Sequence, residues 1–197
     1  MSFGQYAGGA LVTQAFGSVS IFRCIKCQLV FKSPAVDVRT SLDLYNQVDG
    51  SVWTSSMPRP EFELAVSTVE GELAVSSVKV LDVGCNRGEF LSRLGQDVSR
   101  FGVEVNRNAA NVAEAQGIKV WASLGEIPSN TRFTIITCFD VIEHIAQPSG
   151  FLGQLLSLLE SGGQLILSSG DAAVLLRQFR PSLNWYFANP EHIAFIS

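Results

Sequence analysis

Two rhythms of apolar residues alternate along the chain. Val78, Val80, Leu81 and Val83 form a β-branched-rich run, the pattern of a strand buried on both faces. Gly84 breaks that run. Beyond Gly88 the apolar positions Phe90, Leu91, Leu94 and Val98 recur at helical spacing, so the unit reads as strand, glycine turn, helix. Phe101, Val103 and Val105 alternate as in a second strand. Asn106 is placed to cap the helix that follows, and Gly117 to end it. Ile118 to Trp121 read as a third strand, and Arg132 to Phe139, with Ile135 and Ile136 central, as a fourth. Pro148 opens a helix whose stripe is Phe151, Leu152, Leu155, Leu156 and Leu159, closed by Gly162 and Gly163. Gln164 to Ser168 make a fifth strand, and Asp171 caps a last helix running to Phe179.

The chain before this region is less regular. Val19, Ile21 and Phe22, then Leu29, Val30 and Phe31, read as short strands flanking Cys24-Ile25-Lys26-Cys27. Val38, Leu42, Tyr45 and Val48 suggest a short helix, and Asp49-Gly50 opens a loop to Pro60. From Glu61, the positions Phe62, Ala65, Val66, Val69 and Leu73 recur at helical spacing. The boundaries expected are 1–36 for a strand segment, 37–77 for a helical lead-in and 78–197 for the main domain. Its alternating strands and helices predict an α/β, doubly wound, mostly parallel sheet in the order 3-2-1-4-5.

Composition narrows the function classes. Lys and Arg number 14 against 18 Asp and Glu, a net charge of −4, so no basic excess or polybasic run points to nucleic acid or anionic lipid. No uninterrupted run reaches the roughly 18 apolar residues of a membrane span. The apolar stretch from Ala7 to Phe22 is interrupted by Gln14, glycines and serines and lacks a positive leader. The four cysteines show no disulfide-scaffold density, and together these features predict a cytoplasmic protein.

The turn after the first main strand carries the chemistry. It lies at the carboxyl end of a strand, where open α/β sheets bind ligands. A dinucleotide turn wants Gly-x-Gly-x-x-Gly. Here the order is Asp82-x-Gly84-x-Asn86-x-Gly88, with Cys85 between the first glycine and the asparagine. This order resembles the first motif of class I S-adenosylmethionine-dependent methyltransferases, Asp/Glu-x-Gly-x-Gly-x-Gly. Asn86 stands in place of the middle glycine, and asparagine is among the residues that best tolerate a left-handed backbone. Glu104 ends the second strand, where an ionised carboxylate can accept both hydroxyls of a ribose.

The resemblance implies a Rossmann-like fold, S-adenosyl-L-methionine as cofactor, and a small-molecule acceptor. It implies cofactor contacts at Asp82, Gly84, Cys85, Asn86, Gly88, Glu104 and Val105. It adds Ser123 and Leu124 near the adenine, and Phe139 and Asp140 after the fourth strand. The segment Asp140-Val-Ile-Glu-His144 is similar to the family's segment at that place, with His144 read as a structural histidine. Cys24 to Pro34 resembles a segment that precedes the domain in a bacterial subgroup including sugar C-methyltransferases. In that subgroup a Glu-His pair, here Glu191 and His192, lies after the fifth strand. Its histidine serves some members as catalytic base and otherwise shapes the acceptor pocket. Tyr45 could reach the site from the lead-in helix.

No metal site is expected. Cys24 and Cys27 offer half of the ligands that a structural zinc takes, and the histidines lie far along the chain. The family normally continues with a further helix and an antiparallel hairpin. Without them the fifth strand is an apolar edge, to be covered by a partner or by a missing segment. Transfer of a methyl group to carbon or oxygen is the reading that results. A non-catalytic cofactor-binding module and an NAD-dependent oxidoreductase are the alternatives.

Overall fold

The computed structural model describes residues 19–35, 37–47, 51, 58–73, 77–171, 185–189 and 191–196. Val48, the loop from Asp49-Gly50, most of the stretch from Ala7 to Phe22, and the helix expected from Asp171 to Phe179 lie outside these residues, Asp171 itself and positions 19–22 excepted. No helix among the described residues is long and apolar enough to cross a membrane.

The described residues open with an antiparallel hairpin, β1 (Ser20–Arg23) and β2 (Val30–Ser33), with Cys24 and Cys27 in its turn. Helices α1 (Val38–Gln47) and α2 (Pro60–Leu73) follow. The main sheet comprises β3 (Lys79–Val83), β4 (Ser99–Val103), β5 (Lys119–Trp121), β6 (Phe133–Phe139) and β7 (Leu159–Ser168). Its order is β5-β4-β3-β6-β7, and all neighbours run parallel. In sequence order of these strands that is 3-2-1-4-5, as the alternation predicted. Helix α3 (Arg107–Glu114) connects β4 to β5, and α4 (Pro148–Ser157) connects β6 to β7.

Successive strand residues point to opposite faces, and the sheet accordingly has two cores. Val80 and Ile135 face a layer made of Phe62, Ala65 and Val69 from α2, Phe90, Leu91 and Leu94 from the turn region, and Ala113 from α3. Leu81 and Ile136 face the other layer with Val103, Ile127, Phe133 and Leu155 of α4. On the first side Phe62, Phe90 and Phe139 pack with ring centroids 4.9 to 5.5 Å apart.

Three expectations change. The helix predicted after Gly88 is a run of turns with a single 3-10 turn at Leu91–Arg93. Phe90, Leu91, Leu94 and Val98 are all buried as the spacing required. Gly95 and Asp97 stop the ladder before an α-helix can propagate, and the last amide bonds reach back only to i−3, as in Leu94 to Leu91 at 3.2 Å. Helix α4 ends at Ser157, so Leu159 belongs to a strand and Leu156 is 58% exposed. Gly162 and Gly163 therefore do not terminate a helix. They form an irregularity inside β7, where the pairing steps from Phe133↔Leu159 to Ile135↔Gln164.

A short strand, β8 (Ala194–Phe195), pairs antiparallel with β2 and completes a three-stranded sheet, β1-β2-β8. Val30, Phe195, Tyr186 and Phe187 form its core, the last two from a helical turn at Trp185–Ala188. β7 lies at one edge of the main sheet, with Leu167 39% exposed.

Gly163 has no room for a side chain, since a Cβ there would stand 2.9 Å from the Thr134 carbonyl oxygen and 3.1 Å from that of Phe133. Gly163→Ala is expected to lower the denaturant midpoint by the equivalent of about 1–3 kcal/mol. An unchanged midpoint would show that this bend of β7 carries no packing constraint.

Candidate functional site

The bend after β3 has a left-handed backbone at alternate positions, Gly84 at φ +79°, Asn86 at +47° and Gly88 at +84°. A Cβ on Gly84 would meet Val141 Cγ2 at 2.4 Å, so glycine is required there both by conformation and by space. Asn86 takes the left-handed conformation that its residue type tolerates. Its backbone N–H donates to Glu104 Oε2 at 2.8 Å. Glu104 Oε1 accepts from the backbone N–H of Asn106 at 2.7 Å. Asn106 caps α3, its Oδ1 accepting from Ala109 N at 3.0 Å, as the sequence predicted. The Glu104 carboxylate thus lies against the bend, and each of its oxygens retains a lone pair for a further donor.

Asp82 is buried beneath the bend and accepts from Thr137 Oγ1 at 2.7 Å. Burial, reinforced by the Glu104 and Glu89 charges, raises its pKa to about 7 despite the Thr137 bond. Glu104 is also raised, by burial first, with the N–H groups of Asn106 and Asn86 opposing. The bend is therefore ringed by carboxylates. That field attracts a cation and repels a diphosphate.

The other expected residues fall into two groups. Val105 is 42% exposed, and Ser123 and Leu124 follow β5 at the same end of the sheet. Asp140, at φ +54°, follows β6, and Arg59 Nη2 bonds its carboxylate at 2.6 Å. Phe139 is buried, and its ring packs on Phe62 and Phe90 as part of the core. It walls the site from behind. Cys85 is buried, and its thiol is pushed up by burial, so it is a packing residue without nucleophilic character.

Glu191 and His192 stand apart from the bend. Both are buried, next to the turn Ile142–His144. His192 Nδ1 lies 2.9 Å from the Tyr186 carbonyl oxygen, and Asn189 Nδ2 lies 3.2 Å from Nε2. The His144 and His192 rings meet edge to face with centroids 4.7 Å apart. Burial lowers the His192 pKa to about 2, with the neighbouring His144 and Lys32 adding to it. His192, expected to act as a base with Glu191, is thus enclosed by Tyr186, Asn189 and His144.

Sequence reasoning missed Arg59, Lys32 and Tyr186. Each acts across the fold. Arg59 reaches Asp140, Lys32 Nζ donates to the Asn189 carbonyl, and Tyr186 Oη donates to Glu143. Tyr45 does reach this region. Its hydroxyl is 2.9 Å from His144 Nδ1, and its carbonyl accepts from Asn106 Nδ2 at 2.7 Å.

Residues 58–197 match a family model described as a methyltransferase domain. The mitochondrial ubiquinone biosynthesis O-methyltransferase of Schizosaccharomyces pombe is 31% identical over 113 residues, 52% of this chain and 41% of that protein. The ubiquinone biosynthesis O-methyltransferase of Psychrobacter cryohalolentis is 28% identical over 129 residues, 59% of this chain and 50% of that protein. The chain thus spans half or less of the length of these curated relatives. The magnesium protoporphyrin IX methyltransferase of Synechocystis PCC 6803, solved with SAH bound, superposes with a TM-score of 0.57 over 71% of this chain and 75% of that one. At 16% identity the likeness is one of fold.

A parallel sheet in this order, with a carboxylate-flanked left-handed bend at its carboxyl edge, is a doubly wound α/β arrangement, whose ligands bind outside the carboxyl ends of the strands. The chain belongs to the methyltransferase domain family, and the cofactor that its sequence resemblance implies is S-adenosylmethionine. The residues present fit that group. The free lone pairs of Glu104 suit a ribose diol, and the acidic surround suits a sulfonium and an ammonium better than a pyrophosphate.

Asp82 gives the site a pH signature. The folded protein holds the Asp82 proton up to about pH 7, whereas an unfolded aspartate releases it near pH 4. Folding takes up a proton between those values, so this group's contribution falls as pH rises through that window. Asp82→Asn, which keeps an acceptor for Thr137, is expected to raise ligand-free stability at pH 8 by a few kcal/mol, on the order of 3, and to leave it unchanged at pH 3.5. Thermal melts at the two pH values check this. An equal effect at both would assign the change to packing instead.

Proposed function

We propose that this chain transfers a methyl group to an oxygen of a small-molecule acceptor. The carrying observation is the Glu104 carboxylate seated against the Gly84–Gly88 bend, with Asp82 buried below. S-adenosylmethionine supplies, when bound, a methyl group made electrophilic by the sulfonium. The chain's own part is binding and orientation. Glu104 takes the ribose hydroxyls, and Gly84, Cys85, Asn86 and Gly88 offer a backbone that a ligand can approach closely. Asp82 stabilises positive charge through the bend. Val105, Ser123 and Leu124 flank the adenine, and Asp140, fixed by Arg59, bounds the other side.

The names of the curated relatives state O-methylation, which supports oxygen over carbon as the acceptor atom. The acceptor approaches from the side of Tyr45, His144 and His192, which close the site between α1 and the last described segment. The same carboxylates speak against a dinucleotide, whose phosphates they would repel.

Titration calorimetry with S-adenosylhomocysteine and with NADH tests the cofactor assignment. S-adenosylhomocysteine is expected to bind at micromolar affinity, and Glu104→Gln to weaken it about 10-fold, the loss of roughly 1.4 kcal/mol of ribose contact. NADH is expected to give no heat. Binding of NADH alone, or a Glu104→Gln affinity equal to the parent's, would overturn the reading.

A further inference from the structure

Glu143, His144 and His192 bring a carboxylate oxygen and two imidazole nitrogens to within 4.8 Å of one another. Glu143 and His144 belong to the 3-10 turn after β6, and His192 precedes β8. The Ile193 N–H donates to the Glu143 carbonyl at 2.8 Å and joins the two segments.

Each of the three side chains is oriented by a second partner. Only an N–H on His192 Nδ1 can satisfy the Tyr186 carbonyl, so Nε2 carries the lone pair. His144 bonds to the Glu191 backbone in the sense that favours a protonated ring, so that nitrogen donates. Its Nδ1 lies 2.9 Å from the Tyr45 hydroxyl. The two Glu143 oxygens accept from Tyr186 Oη at 3.0 Å and Ser169 Oγ at 3.1 Å. Ligating histidines that donate their other N–H to a carbonyl, and a ligating carboxylate that is itself hydrogen-bonded, are the ordinary surroundings of a protein-bound metal.

We propose that Glu143, His144 and His192 bind one divalent transition-metal ion, with zinc(II) the best match. Two imidazole nitrogens and one carboxylate oxygen form a three-ligand set that leaves a fourth position open. Metal–nitrogen bonds of about 2.1 Å put tetrahedral ligands roughly 3.4 Å apart, so closure needs side-chain movement of about an ångström. The ion replaces the Asn189 amide at His192 Nε2 and the Tyr45 hydroxyl at His144 Nδ1. Lys32 is the opposing charge. It is buried nearby and bonded to the Asn189 carbonyl. Metal binding stands independently of the methyl-transfer reading. A role for the ion in holding the acceptor oxygen rests on it.

The test uses the full chain carrying Cys24→Ser and Cys27→Ser, which removes the thiols of the β1–β2 turn as a competing site. After chelation and dialysis it is titrated with zinc(II) and cobalt(II). One equivalent of zinc is expected to bind with a Kd below about 10 μM, and the cobalt form to show visible ligand-field absorption. His144→Gln, at a partly exposed position, is expected to weaken zinc binding about 100-fold with an unchanged melting temperature. Lys32→Gln is expected to tighten it. No zinc uptake in the thiol-free chain, or uptake unaffected by His144→Gln, overturns the proposal. S-adenosylhomocysteine calorimetry on the same samples separates the two readings. Cofactor binding without zinc uptake sinks this one alone, and zinc uptake without cofactor binding sinks the other.

Discussion

Glu104 holds two backbone N–H groups, one on the bend that follows β3 and one at the start of α3. The bend, the end of β4 and the helix cap are thereby fixed to one another by a single side chain. Hydrogen bonds to a charged group are worth roughly 1.5–3 kcal/mol each, enough to hold an acid at a place where burial disfavours its charge. The left-handed residues of the bend turn the Asn86 amide toward this acid, and the space at Gly84 lets the chain pass beneath Val141. Loss of this carboxylate would free the bend and the cap together.

The opposite wall of the site is built differently. Tyr45, His144, His192, Tyr186 and Glu143 form a chain of polar and aromatic contacts that runs from α1 to the last described strand. These groups are mostly buried, and their ring and hydroxyl orientations are fixed by backbone carbonyls and by one another. A buried network of this kind specifies one arrangement of the segments that carry it. The two walls meet at Asn106, whose amide nitrogen bonds the Tyr45 carbonyl while its oxygen caps α3.

The parallel sheet was legible in the chain because its signals are local. β-branched runs, glycine breaks and helical spacing fix strands and crossovers, and parallel connectivity then fixes order. Asn106 as a cap and Asn86 as a left-handed residue follow from side-chain chemistry within a few positions. Where the reading failed, a longer-range term prevailed. The Phe90–Val98 segment kept its burial pattern but lost its α-helical bonding to nearby turn residues. Gly162 and Gly163 resemble a helix stop, yet serve a bend dictated by the neighbouring β6. The His144–His192 contact and the β2–β8 pairing join residues far apart in sequence, and no local pattern announces either. The enclosure of His192 could be seen only in three dimensions.

The pairing of Val30 with Phe195 closes all of the chain between them into one loop. Chain closure grows costly only logarithmically with length, so a small cluster of buried rings can sustain it. The ledge it forms shares no strand with the five-stranded sheet and is held to it through Glu143, Tyr186 and the His144–His192 contact. The described hairpin and the last strand support each other, so that deleting the hairpin leaves β8 without a strand to pair with, and deleting β8 strips Val30 of the Phe195 ring that buries it.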